Sequence, residues 1–199
     1  MRRITVCYGI VAFLHSIAIT ALMLTHRLAT ETDLDLLRAL MTLAIDVNQR
    51  AFLSPAELAV SGMTMGIDTQ LISDRTYFLV EEDGTIVGCG GWSYRATTHG
   101  GDLSSVARDI TPLDPARDPA RIRAMYTHPD HVRCGIGRLV LSLCESAARD
   151  AGFASTMMVA TLSGEPLYRA AGYTEVERTP SAPIDGVRVP LIVMQKRLG

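Results

Sequence analysis

One short stretch limits what this chain can become. Residues 122–127 read as a strand, Pro129 and Asp130 break it, and Gly135 and Gly137 follow. An apolar helical pattern then starts at once with Leu139, Val140, Leu143, Cys144 and Ala147. A strand running through a glycine turn into a helix aims several backbone N–H groups at one point. The helix N-terminus adds partial positive charge there. Glycine lets the chain turn tightly and lets a bulky anion approach without meeting a Cβ. Arg133 and Arg138 flank the turn with full charge. The stretch therefore predicts a phosphate or pyrophosphate cradle built from Val132, Arg133, Cys134, Gly135, Ile136, Gly137 and Arg138. A glycine pair can also serve only to reverse the chain. This one lacks the Gly-Lys-Ser/Thr of a P-loop, and Val140 stands where a dinucleotide-binding turn has its third glycine.

A second motif lies downstream. After residues 155–160 come Thr161 and Gly164, then Leu167 and Tyr168, then Gly172 and Tyr173. Taken together the two stretches resemble the GCN5-related N-acetyltransferase (GNAT) superfamily. Its members carry a strand, an Arg/Gln-x-x-Gly-x-Gly/Ala loop and a helix, followed by a further strand and a short helix with Leu/Phe-Tyr ahead of Gly-Phe/Tyr. The resemblance is close over the last 80 or so residues and looser back to about Leu24. Two positions depart from the pattern. Val132 stands where the family has Arg or Gln, and Thr161 where many members have Asn. The backbone donors do not depend on the first side chain. The fold implied is mixed α/β (α+β): a mostly antiparallel twisted sheet with a central splayed parallel pair, flanked by helices.

The chain has 199 residues, 48% hydrophobic and 20% charged, which suits one globular domain with an ordinary core. A net charge of -2 gives no global basic footprint for nucleic acid. Cys7, Cys89, Cys134 and Cys144 are scattered with no Cys-x-x-Cys pair, so neither a zinc knot nor a disulfide scaffold is suggested, and no metal is expected. Cys134 lies in the turn with nearby arginines and a helix start, but no paired His marks it as a nucleophile. Residues 1–23 form an apolar leader: a basic start precedes a charge-free run over 4–24. It reads either as a membrane anchor or as a mis-assigned start before Met23. Residues 24–199 are the expected N-acetyltransferase domain. The expected location is cytoplasmic, or inner-membrane anchored if the leader is real, and only then would the chain meet a membrane.

Within that domain, 24–29 read as a strand, and Thr30 or Thr32 as the cap of a helix carrying Leu34, Leu36, Leu37, Leu40, Leu43 and Ile45. Ser54, Pro55 and Glu57 form a capping box for a second helix. Residues 76–80 and 85–89 are strands joined through Asp83 and Gly84. Gly88, Gly90 and Gly91 suggest a bulge or a close backbone approach. Trp92 and Tyr94 could line an acceptor pocket or pack at the core's edge. Residues 95–119 read as a long polar surface loop, mobile or folded over the site, with His99 in it a weak catalytic candidate. Residues 139–150 form an amphipathic helix, 155–160 a strand, 164–171 a short helix, and 174–178 and 187–196 the closing strands.

The resemblance implies that acetyl-CoA is the cosubstrate. Its pyrophosphate would take N–H bonds from residues 132–138, and its pantetheine arm would lie along Met125, Tyr126 and Thr127 like an added strand. It implies direct attack by a primary amine of a small molecule or a peptide on the thioester. Tyr168 would be the general acid for the departing thiolate. Tyr173 reads as core, and Glu165 as either a site acid or a helix-start acid suited to the dipole. A CoA-binding regulatory module with weak or lost turnover is the alternative, and a nucleotide-binding domain using the same turn is a third reading. Pairing with a second copy of the chain is left open. Neither the acceptor nor the general base carries a signature in the sequence.

Overall fold

The structure is a computed structural model that describes residues 23–104 and 107–199. The leader expected at 1–23 thus lies, except for Met23, outside the described residues. None of the described helices is long and apolar enough to cross a membrane.

Seven strands form one sheet: β1 (Leu24–Leu28), β2 (Tyr77–Glu82), β3 (Thr85–Ser93), β4 (Ala120–Thr127), β5 (Ser155–Thr161), β6 (Thr174–Pro180) and β7 (Pro190–Arg197), in the order β1-β2-β3-β4-β5-β7-β6. All neighbours are antiparallel except β4 and β5. The architecture is the α+β sheet with a central parallel pair that the sequence led us to expect. Asp83 and Gly84, at φ 49° and 81°, close the β2–β3 hairpin with two left-handed residues, the geometry that matches the twist of the flanking strands.

The helices are α1 (Leu34–Gln49), α2 (Pro55–Thr64), α3 (Thr69–Ser73), α4 (Ile136–Asp150) and α5 (Glu165–Ala170). Ser54 and Glu57 form the expected capping box, the Ser54 amide donating to Glu57 Oε2 at 2.8 Å. Thr30 does cap, but what it caps is a 3₁₀ turn, Glu31–Asp33, that leads into α1. The helix α3 was not foreseen, because five residues hold no full apolar period.

Two cores sandwich the sheet. On one face Ile136, Val140, Leu141 and Cys144 of α4 pack on Val80, Val87, Met158 and Ile192. On the other, Leu37, Leu40, Met41 and Ile45 of α1 pack on Tyr77, Leu79 and Cys89. The glycines of β3 set the approach of α4. A Cβ at Gly90 would lie 2.6 Å from Val140 Cγ1 and 2.8 Å from Met125 Sδ, and one at Gly88 would collide with Ile136. Trp92 belongs to the α4 core, edge-on to Tyr94 and Phe153, so of its two expected roles the packing one holds.

The feature that positions the site is a bulge. Gly91 pairs with Arg123 and Cys89 with Tyr126, so Ala124 and Met125 together stand opposite the single Gly90. Ala124 takes φ 50°, and its carbonyl accepts from the buried Tyr77 hydroxyl at 2.7 Å. A bulge bends its strand and increases the local twist. In keeping with this, β4 pairs with β5 only at Ala120↔Thr156 and Arg121↔Met157, and the two strands part beyond that point.

Candidate active site

The glycine turn is built as a chain of unusual backbone angles. A 3₁₀ turn, Pro129–His131, follows β4; Arg133 then sits at φ 68° and Gly135 at φ 86°, and α4 starts at Ile136. The first carbonyl to be used is that of Gly135, which accepts from Leu139 N at 2.9 Å. Among the described residues no carbonyl accepts from the amides of Gly135, Ile136, Gly137 or Arg138. These are the donors that a helix start leaves over, and α4 is long enough to bring its dipole to bear on them. Arg133 and Arg138 are exposed and have no ion-pair partner among the described residues; Val132 and Cys134 are exposed beside them.

The two glycines differ in role. Gly135 is required by its angle, since a Cβ there would meet nothing within 4 Å. Gly137 marks a close approach: its Cβ would lie 2.9 Å from Leu167 Cδ2 and 3.5 Å from Thr127 Oγ1. That contact brings the start of α4, the end of β4 and α5 together. Two further braces were not visible in the sequence. Asn48 of α1 donates to Thr127 O at 2.9 Å. His131 Nε2 lies 2.8 Å from Glu82 Oε2, tying the turn to the β2–β3 hairpin.

Where β4 and β5 separate, a cavity of about 580 Å³ opens. Its walls include Ile122, Arg123, Ala124, Met125 and Tyr126 of β4, Met157, Met158 and Val159 of β5, and Tyr168 of α5. Met65 and Gly66 from the turn after α2, His99 and Gly100 from the long loop, and Pro180 and Ser181 from the β6 end complete it. Tyr126 lines the cavity, yet its side chain is also core: its hydroxyl accepts from Gly66 N at 2.9 Å. Met125 likewise packs against Gly90. Any ligand along this strand would therefore meet main chain as much as side chain.

Tyr168 stands apart from the other buried tyrosines. Tyr77 donates to Ala124 O at 2.7 Å, Tyr126 binds Gly66, and Tyr173 shares a 2.8 Å hydrogen bond with Thr156 Oγ1. The Tyr168 hydroxyl has no hydrogen-bond partner among the described residues, and it is not one of the sealed polar atoms, so it keeps contact with the cavity. Burial, with a smaller effect from Cys144, pushes its pKa well above the ordinary phenol value, so it holds its proton across neutral pH. Tyr173 is core, as expected. Glu165 is bound by Arg169 and Arg178, each at 2.6–2.8 Å, and does not line the cavity.

The loop 95–119 is folded over the cavity rather than loose. Its two limbs pair, with Ala96 N to Thr111 O at 3.0 Å and Thr97 N to Asp109 O at 2.9 Å. An ionic cluster holds its tip. Arg123 Nη2 donates to Gly100 O at 2.7 Å, and Arg123 Nη1 lies 2.5 Å from Asp68 Oδ2. That last contact is ionic but off the hydrogen-bonding direction. Arg108 bridges Asp68 and Asp102, both at 2.7 Å. Asp68 is fully buried, so its charge demands these partners. His99 is thereby placed against the cavity, its Nδ1 2.8 Å from Thr98 Oγ1. Burial, and then the nearby Arg123 charge, lower its pKa below the ordinary imidazole value. Among the described residues no group of three His, Cys, Asp or Glu side chains is disposed to hold a metal ion.

The family model described as the acetyltransferase (GNAT) domain matches residues 73–175, just over half of the chain. No functionally curated protein matches the sequence. Among solved structures, a GCN5-related N-acetyltransferase from Rhodopseudomonas palustris is 16% identical, with 87% of this chain and 95% of that chain covered at a TM-score of 0.62. The PaiA N-acetyltransferase from Thermoplasma acidophilum, in complex with coenzyme A, is 13% identical over 87% of this chain and 98% of its own, with a TM-score of 0.58. The yncA protein of Salmonella typhimurium, solved with its cofactor acetyl-CoA, is 19% identical over 88% and 94%, with a TM-score of 0.56. At these identities the likeness is one of fold.

Proposed function

This chain belongs to the GNAT acetyltransferase family, and from that premise we propose that it binds acetyl-CoA and transfers the acetyl group to a primary amine by direct attack. The acceptor would be a small molecule or a peptide. The observation that carries the reading is the parting of β4 from β5 beside a helix start whose amides have no acceptor among the described residues. Two proteins of this fold were solved with coenzyme A or acetyl-CoA, which supports the choice of donor.

The chain's own groups then have the following work. The amides of Gly135, Ile136, Gly137 and Arg138, with the Arg133 and Arg138 guanidiniums, hold the pyrophosphate. Val132 and Cys134 contribute main chain to the same turn. Met125, Tyr126 and Thr127 offer backbone to the pantetheine arm, and the bulge leaves Met125 without a ladder partner on β3. A main-chain N–H near the bulge steadies the oxyanion that forms as the amine attacks. Tyr168 protonates the departing thiolate from a position where its hydroxyl bonds to none of the described residues. The domain carrying this activity would be residues 24–199.

The test is purified protein with acetyl-CoA and a panel of primary amines, read by release of free thiol. Amine-dependent release is the expected result. Thermal protection by CoA without release on any amine would overturn the transfer step.

A further inference from the structure

We propose that His99 is the base that takes the proton from the acceptor ammonium. The inference rests on the transfer reading above and concerns the same cavity. An alkylammonium cannot attack a thioester until it gives up a proton, and that proton needs a receiver at the wall. Among the described residues no Asp or Glu lines the cavity. Its titratable wall groups are His99, Arg123, Tyr126 and Tyr168. Arg123 is a cation paired with Asp68, and burial keeps both tyrosines protonated. His99 alone is left with an available lone pair near neutral pH.

Its surroundings suit the task. It shares the cavity wall with Arg123 and Tyr126 of β4 and Tyr168 of α5, and Arg123 is joined in turn to Asp68, Arg108 and Asp102. Burial, and then the Arg123 charge, disfavour the imidazolium, which favours the free base as the resting form. The Thr98 hydroxyl at Nδ1 accepts that N–H in the tautomer that leaves Nε2 as the base. Arg123 also grips the loop through Gly100 O, next to His99 in the chain, which fixes where the ring stands.

The protons balance. His99 takes one from the ammonium and returns it to solvent. The free amine forms the C–N bond, the C–S bond breaks, and Tyr168 gives its proton to the sulfur. The phenolate regains one from the acylated nitrogen, so one amide, one thiol and one solvent proton result.

The test compares wild type, His99→Gln and His99→Ala by thiol release from pH 5 to 9. The acceptor should have a pKa well above that range, so that its own ionisation is common to all three. Wild type should lose activity on the acid side below the ordinary imidazole pKa of about 6.5. His99→Gln should lose this limb, with kcat/KM about 10²–10³-fold lower. Added imidazole should partly restore His99→Ala, and calorimetry should show wild-type CoA affinity for both variants. The role is overturned if His99→Gln keeps the wild-type rate or acid limb, if imidazole restores nothing, or if CoA affinity falls as far as the rate. Wild type that releases no thiol with any amine refutes the transfer reading first, and the role of His99 with it.

Discussion

Two tyrosines 6.1 Å apart, Tyr168 and Tyr173, should respond in opposite ways to loss of one oxygen. The Tyr173 hydroxyl is bonded to Thr156 Oγ1 at 2.8 Å, and Thr156 is fully buried. Removing it strands a buried hydroxyl, which costs about 1–3 kcal/mol. For a domain of this size each kcal/mol lowers the melting midpoint by about 2–4 °C. Tyr173→Phe should therefore melt several degrees lower with little change in kcat. The Tyr168 hydroxyl bonds to none of the described residues, so Tyr168→Phe should melt within about 0.5 kcal/mol of wild type, like a substitution away from any buried bond. If that hydroxyl protonates the thiolate, kcat should fall by about 10²-fold or more. At about 1.36 kcal/mol per decade that is roughly 3 kcal/mol of lost transition-state stabilisation. CoA affinity should not move. Thiol-release kinetics, calorimetry with CoA and thermal denaturation on the two variants make the comparison. A Tyr168→Phe protein with kcat within twofold of wild type, or one that melts as low as Tyr173→Phe, would refute the reasoning.

Gly137→Val should push Leu167 and α5 away from the start of α4, weakening CoA at least tenfold by calorimetry, because its Cβ position lies 2.9 Å from Leu167 Cδ2. Gly135→Ala meets no atom, so its cost should be the left-handed strain alone, about 1–2 kcal/mol in urea unfolding. Acid should also destabilise the fold in a traceable way. The Arg27 guanidinium holds the Asp33 carboxyl well below the usual carboxylate range, and Arg95 lowers that of Asp74. Groups depressed in the folded state stabilise it above their unfolded pKa of about 3.9, and that stability is lost as pH falls through and below this value. The melting midpoint should fall progressively from about pH 5 down through pH 3 and below, and Asp33→Asn should make the fall shallower.

The turn and the sheet were legible because their signals are local. Gly135 and Gly137 between a strand and an apolar helix, Asp83 and Gly84 between two strands, and Ser54 with Glu57 ahead of Leu58 each declare their geometry within a few residues. The bulge was only half legible. Gly90 marks a close approach on β3, but the extra residue lies on β4, where nothing in Ala124 or Met125 announces it. Its cause is distant: Tyr77 holds the Ala124 carbonyl from 47 positions away. Glu165 suited either a helix start or a site acid by composition, and Arg178 decides between the two from a strand that no local pattern links to it.

The acceptor side was opaque for the same reason, and the loop shows why. Residues 95–119 carry no periodicity, so their polar composition reads as surface. What folds them inward is a charge buried elsewhere: Asp68, with no exposure at all, cannot stand without cations. Arg123 reaches it from β4 and Arg108 from the loop. Arg123 also donates an N–H to Gly100 O, and that bond seats His99 at the cavity. The buried pair therefore does more than offset its own desolvation. It couples the strand that parts from β5 to the loop that covers the opening, so the two halves of the site are set by one ionic contact. A lesion at Asp68 should for that reason disturb acceptor turnover before it disturbs the amides at the start of α4, which take no part in the cluster.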